Sequence, residues 1–304
     1  MTANTIYRPR RTPEDEVCEV RGLAIHLTRW TGADARPWLL LHGWMDAGST
    51  FQFLADALPP GRSLIAPDWR GFGASAWPED GYWFPDYYAD LDALIDRLSP
   101  QAPLTLIGHS MGANIAMMYA GLRPQRVHAV VSIEGFGLPR TRPEQAPDRL
   151  RTWLDEVRQA PAFARFPSQV AFAQYLRKRS PRLPADRAEF IAHAWAVADD
   201  GGLRMRADPR HKRVNPILYR REEAEACWRE IKAPLLFVAA ADSDHTRRFT
   251  GDASLDAIRA LVPRFTLVTV ADAGHMVHHE QPEALAAAIE SFMTALDDPA
   301  AAQR

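Results

Sequence analysis

The sequence predicts an α/β protein built on a mostly parallel sheet, and three observations carry that prediction. Short, apolar, β-leaning runs alternate with helically spaced segments from about Val17 to Ser132. The same alternation returns near Pro234, and the stretch between the two is proline-rich and lacks strand-like runs. Compact strands separated by amphipathic helices bury both faces of a sheet, which is the signature of parallel pairing.

The stretch from Val17 to Trp30 reads as two antiparallel strands around a turn at Arg21-Gly22. Further strands are expected at 38–41, 63–66, 104–107 and 127–133. Tyr87, Leu91, Leu94 and Leu98 share one helical face, as do Ile115, Met118, Tyr119 and Leu122, and Pro124 stops the second helix. From Leu138 to about Trp228 the pattern is helical, chopped short by nine prolines. This region carries about +6 while the remainder carries about −8, a composition shift that marks an inserted module. Strands return at 235–239 and 265–270. A closing helix begins at Pro282, with Leu285, Ile289, Phe292 and Leu296 on its apolar face.

Composition narrows the function. The chain has 304 residues and a formal charge of −2, which argues against a nucleic-acid binder that relies on bulk electrostatics. Two distant cysteines, Cys18 and Cys227, make no disulfide framework and suit a reducing compartment. No apolar run approaches the ~18 residues of a membrane span, and the polar start lacks a signal-peptide core, so a cytoplasmic location is expected. No Walker string or GxGxxG occurs, and no cofactor is expected.

The chemistry starts at Gly108-His109-Ser110-Met111-Gly112, between the 104–107 strand and the following helix. A G-x-S-x-G string in that setting forms a sharp turn that pushes the Ser110 hydroxyl out at the carboxyl edge of the sheet. A serine at neutral pH needs a base. His275, in Ala273-Gly274-His275 just after the last strand, is the choice among ten histidines. The i, i+4 spacing of His275 and His279 raises a metal site. No helix is expected through Gly274, however, and no clustered cysteine or carboxylate completes a ligand set, so no metal is expected.

The base needs a carboxylate to hold its tautomer. Asp244 is preferred because it stands in a loop clear of the 235–239 strand. Asp242 in the same loop and Glu134, at the end of the 127–133 strand, are the alternatives. Backbone N–H groups of Trp44, after Leu41-His42-Gly43, and of Met111 are the candidate oxyanion donors, with the His42 side chain supporting the turn.

Taken together, Leu41-His42-Gly43-Trp44, the run from Asp68 to Ser75 (DWRGFGAS), the Ser110 elbow and Gly274-His275 resemble the α/β-hydrolase superfamily. Among its members the chain looks most like serine-hydrolase-like proteins and the carboxylesterase group. The resemblance implies an α/β-hydrolase fold with an eight-stranded, mostly parallel sheet, helices on both faces and a helical lid after strand 6. The core would be 1–137 and 229–304, and the lid 138–228. The D-x-R-G-x-G-x-S stretch is similar to the loop that braces the oxyanion turn in lid-bearing members. Ser110 stands where dehalogenases and epoxide hydrolases carry aspartate. The family's acid usually follows a G-x-x-D turn, whereas Ala240 and Ala241 stand here with the spacing one residue off.

The expected activity is hydrolysis of a small acyl compound, foremost a carboxylic ester, through an acyl-enzyme. Thioester, lactone or C–C bond cleavage by the same residues, or a slow-turnover ligand sensor, are the alternatives. Aromatic residues of the inserted region, among them Phe163, Phe166, Phe172 and Trp195, are expected mostly to hold its helices together, and Arg177-Lys178-Arg179 to be a solvated helix face. The expected partner is a small-molecule substrate, with neither nucleic acid nor membrane.

Overall fold

The computed structural model describes residues 6–135, 137–159, 161–244 and 254–297. Ten strands and ten helices longer than a single 3-10 turn are described. The strands are β1 (Glu14–Val20), β2 (Leu23–Trp30), β3 (Trp38–Leu41), β4 (Leu64–Pro67), β5 (Leu104–His109), β6 (Val127–Ile133), β7 (Ala196–Asp199), β8 (Gly202–Met205), β9 (Leu235–Ala240) and β10 (Phe265–Val270). The helices are α1 (Gln52–Ala57), α2 (Pro85–Leu98), α3 (Met111–Leu122), α4 (Ala146–Arg158), α5 (Gln169–Arg179), α6 (Ala185–Trp195), α7 (Arg221–Arg229), α8 (Leu255–Arg259), α9 (Val277–Glu280) and α10 (Pro282–Asp297).

Eight strands form one sheet in the order β1-β2-β4-β3-β5-β6-β9-β10. The pairs β1/β2 and β2/β4 are antiparallel and the rest are parallel. Arg21 and Gly22, both at positive φ, make the β1–β2 turn. Every residue of β3, β4, β5 and β9 is buried, as two-sided coverage by helices requires. From β3 the chain leaves toward β4 on one side and later returns as β5 on the other. The carboxyl ends of β3 and β5 therefore open a crevice where the connections diverge, which is where such sheets place their sites.

The helical faces follow the expected spacing with one exception. Tyr87, Leu91 and Leu94 are buried in α2, and Leu285, Ile289 and Phe292 in α10. In α3, Ile115 and Tyr119 are buried but Leu122 is 49% exposed. This helix lies over the sheet centre, and small residues (Ala113, Ala116, Ala120) take part of the buried face that leucine spacing was expected to supply.

Helices α4 to α7 lie between β6 and β9, where the inserted region was expected. The expectation that it holds no strand is corrected. β7 and β8 pair as an antiparallel hairpin around Asp200-Gly201, both at positive φ. Phe166 stacks on Phe172 at 4.3 Å between ring centroids and Phe172 is buried, so these aromatics hold the insertion together. Arg177, Lys178 and Arg179 form the exposed last turn of α5. A seam ties the insertion to the core. Gly73 N–H donates to Arg206 O (3.0 Å), Asp208 N–H donates to Gly71 O (2.8 Å), and Phe72 bridges Ala207. His211 is stacked against Phe72 at 3.9 Å and lies 3.6 Å from the ring of Tyr82. No helix among the described residues is long and apolar enough to cross a membrane.

Candidate active site

Ser110 joins the end of β5 to the start of α3 with φ 50° and ψ −111°, a backbone conformation that L side chains resist. Its N–H donates to Ile133 O at 2.8 Å, and its carbonyl accepts from Asn114 N–H at 3.0 Å. The turn is possible because Gly112 has no side chain. A Cβ there would lie 2.1 Å from Leu41 O and 2.6 Å from His42 O. Gly43 makes the reciprocal close approach, its missing Cβ falling 2.8 Å from His109 Nδ1 and 3.3 Å from Ser110 Cβ. The end of β3 is thus pressed against the elbow, and Trp44 is the next residue after Gly43. Met111 is the first residue of α3, so its N–H has no partner within the helix.

His42 supports this turn. Its Nε2 accepts from Trp69 N–H (2.9 Å), which fixes the proton on Nδ1, and that N–H donates to Gly43 O (2.7 Å). Trp69 Nε1–H donates back to His42 O at 3.0 Å. Burial pushes the His42 pKa down and keeps the ring neutral in this role. In the same loop Asp68 accepts from Gly48 N–H (2.7 Å), Ala74 N–H (2.9 Å) and the His26 ring (2.9 Å). Arg70 is bound bidentately by Asp90 of α2.

His275 follows Gly274, whose N–H donates to Glu280 Oε2 at 2.6 Å. The His275 carbonyl accepts from His109 Nε2 at 2.8 Å, tying His275 to the residue before Ser110. Its Nδ1 lies 3.3 Å from Glu134 Oε2. Glu134 is buried and takes φ 56° one residue beyond β6, as Ser110 does one residue beyond β5. Those two strands are in register, with His109 opposite Ile133. The Glu134 carboxylate also accepts Ala240 N–H at 2.8 Å and the Ser243 hydroxyl at 2.5 Å.

Of the three carboxylates weighed for the place behind His275, Glu134 lies 3.3 Å from its Nδ1. Asp244 is exposed. Asp242 is half-buried and accepts Arg182 Nη2 at 2.7 Å. β6 lies next to β9, and Glu134 follows the last residue of β6. Ser243 was not singled out in the sequence, and its position between two aspartates was the only cue. No hydrogen bond joins Ser110 Oγ to His275 among the described residues. Such contacts are commonly long in unliganded enzymes and tighten around substrate.

A second buried cluster adjoins the elbow. Asp46 Oδ2 faces His278 Nε2 at 3.2 Å and His279 Nε2 at 3.8 Å, and the rings of His278 and His109 lie 4.3 Å apart. One ligand atom from each of Asp46, His109 and His278 falls within 4.8 Å of the other two, so these residues, rather than His275 with His279, are the donor set nearest to a metal cage. The Asp46 carboxylate is already engaged, however, by Ala47 N–H, the Thr50 hydroxyl, Trp195 Nε1–H and His278. An ion would have to displace His278 from it.

The fold and this geometry agree with what the chain resembles. A family model described as the alpha/beta hydrolase fold matches residues 37–282, and the chain belongs to that family. It is 27% identical to a serine hydrolase-like protein of Danio rerio over 272 residues, covering 87% of this chain and 83% of that one. It is 30% identical over 257 residues to 2-(acetamidomethylene)succinate hydrolase of Mesorhizobium japonicum, covering 84% and 87% of the two chains. Among solved structures it is similar to a thioesterase domain from the curacin biosynthetic pathway, with a TM-score of 0.82, 26% identity and coverage of 92% and 99%.

Proposed function

We propose that this chain is a serine hydrolase of small acyl compounds, foremost carboxylic esters, with Ser110 as nucleophile, His275 as base and Glu134 as the carboxylate behind it. The observation that carries this reading is the His275 Nδ1 contact with buried Glu134 at 3.3 Å, with Glu134 following the strand next to the one that ends at the strained Ser110 elbow. Glu134 holds the proton on Nδ1, so that Nε2 is the nitrogen that takes one from Ser110. The Ser110 oxygen adds to the carbonyl carbon as that proton moves to His275. Negative charge on the former carbonyl oxygen is received by the Trp44 and Met111 N–H groups, each worth about 3–4 kcal/mol where such a donor is removed. His275 then protonates the leaving alcohol. In the second half it takes a proton from water, hydroxide adds to the acyl carbon, and Ser110 leaves with the proton returned.

The insertion between β6 and β9 acts in this reading as a lid over the substrate. A short-chain p-nitrophenyl ester assay tests the reading, with turnover expected for the wild type and lost in Ser110→Ala. A wild type that binds acyl ligands tightly but does not turn them over would identify a sensor instead. Both the hydrolase of a succinate derivative and the thioesterase among the similar proteins keep the wider class of acyl and related bonds in view, so thioesters and C–C substrates belong in the same panel.

A further inference from the structure

Asp46 lies two residues beyond the oxyanion donor Trp44 and is buried, 3% exposed. The residue between them, Met45, is held at φ 60°, in the left-handed region that a methionine resists. The carboxylate of the next residue, Asp46, is bound from several sides. One oxygen accepts Ala47 N–H (2.8 Å), the Thr50 hydroxyl (2.6 Å) and Trp195 Nε1–H (3.0 Å). The other faces His278 Nε2 at 3.2 Å. Burial alone would push this carboxyl up, but the hydrogen bond with His278 outweighs it and holds it well below the usual carboxylate range.

These partners come from separate parts of the chain. Thr50 belongs to the turn after β3, His278 to α9 behind His275, and Trp195 to the last residue of α6 in the insertion. Of the four donors only Trp195 arrives from the insertion, and it does so on the carboxylate that fixes the turn bearing Trp44.

We propose that Asp46 is a positioning residue for the oxyanion turn and that Trp195 makes the turn's geometry depend on a seated insertion. With Trp195 docked, the carboxylate keeps Met45 in its strained conformation and the Trp44 N–H aimed at the site. With Trp195 withdrawn, the turn relaxes and the hole loses a donor. Access of substrate under an open insertion and assembly of the charge-stabilising site are thereby coupled. This rests on the serine-hydrolase reading above.

The test uses the full chain as wild type, Trp195→Phe, Asp46→Asn and Ser110→Ala. The measurements are labelling by a fluorophosphonate, kcat and KM for p-nitrophenyl butyrate, inhibition by phenylboronic acid, and the melting temperature. A boronate bound to Ser110 is a tetrahedral anion and reports the oxyanion site directly. Trp195→Phe is expected to lower kcat about ten- to a hundredfold with KM within about twofold, and to weaken boronate inhibition by the same factor. Asp46→Asn is expected to do the same more strongly. If Asp46→Asn does not fold, Trp195→Phe decides alone. Folded variants whose kcat and boronate inhibition stay within about twofold of wild type, or whose losses fall on KM, overturn the coupling while leaving the hydrolase reading intact. A wild type that is neither labelled nor active overturns both.

Discussion

Ser110 and Glu134 stand one residue beyond the ends of adjacent, in-register strands, and both hold positive φ, 50° and 56°. The proposed nucleophile and the carboxylate proposed to stand behind the base are thus spaced by sheet hydrogen bonds rather than by a loop, and His275 follows β10 in the chain.

If Glu134 holds the His275 tautomer, Glu134→Gln should lower kcat by about three to four orders of magnitude with little change in fold, as loss of the equivalent carboxylate does in serine proteases. Asp244→Asn and Asp242→Asn should each stay within a few-fold of wild type. Steady-state ester hydrolysis by the three variants decides between them, and a severe loss in Asp244→Asn with a mild one in Glu134→Gln would return the role to the loop.

Stability should fall as pH drops from 7 to about 5.5. Burial lowers the pKa of His42, His109 and His279, and brings that of His211 down to about 4. Each stays neutral in the folded chain while the unfolded chain takes up a proton below about 6.5. The stabilisation is therefore complete above that value and is lost as pH falls, by up to ~1.4 kcal/mol per pH unit and group. His26, raised by its hydrogen bond to Asp68, and Glu280, raised by burial, act with the opposite sign but are fewer. Urea unfolding at three pH values measures the slope, and His211→Phe should flatten it. A stability that is flat or rises with acid contradicts this.

Gly112→Ala should fail to fold or lose about 3 kcal/mol or more, because the added carbon meets backbone at Leu41 that cannot yield. Gly61→Ala, with nothing within 4 Å of the new carbon, should stay within about 0.5 kcal/mol. Far-ultraviolet circular dichroism during thermal unfolding separates the two.

Arg70 and Asp90 form a buried bidentate pair, with side chains 7% and 2% exposed. Asp90→Ala would leave Arg70 with the more distant Asp86 at 3.4 Å, at a cost of about 3–5 kcal/mol. Chemical denaturation checks it. A loss under 1 kcal/mol would mean that Asp86 and water replace the pair.

The parallel sheet, its flanking helices and the elbow were legible because each rests on local pattern: four-residue buried runs, 3.6-residue spacing, and glycines two residues either side of Ser110. The β7–β8 hairpin was equally local, since Asp200-Gly201 is a strong turn dipeptide, but its strands are four residues each, and β7 runs straight on from the apolar end of α6. The carboxylate behind His275 was a different kind of problem. Choosing among Asp244, Asp242 and Glu134 requires knowing that β6 lies beside β9 and that Ser243 and Ala240 turn their donors inward. Neither follows from spacing along the chain. Asp46 was invisible for the same reason, as its partners lie 4, 149 and 232 residues away.

The hydrogen bonds from 206 and 208 to the Gly71–Gly73 loop, with His211 sandwiched between Phe72 and Tyr82, bear on engineering. A chimera that exchanges the insertion at its chain crossings would also exchange half of this seam and unlace the loop beneath it. The transplantable module ends before Arg206, and a donor sequence joined there would inherit a ready-made anchor.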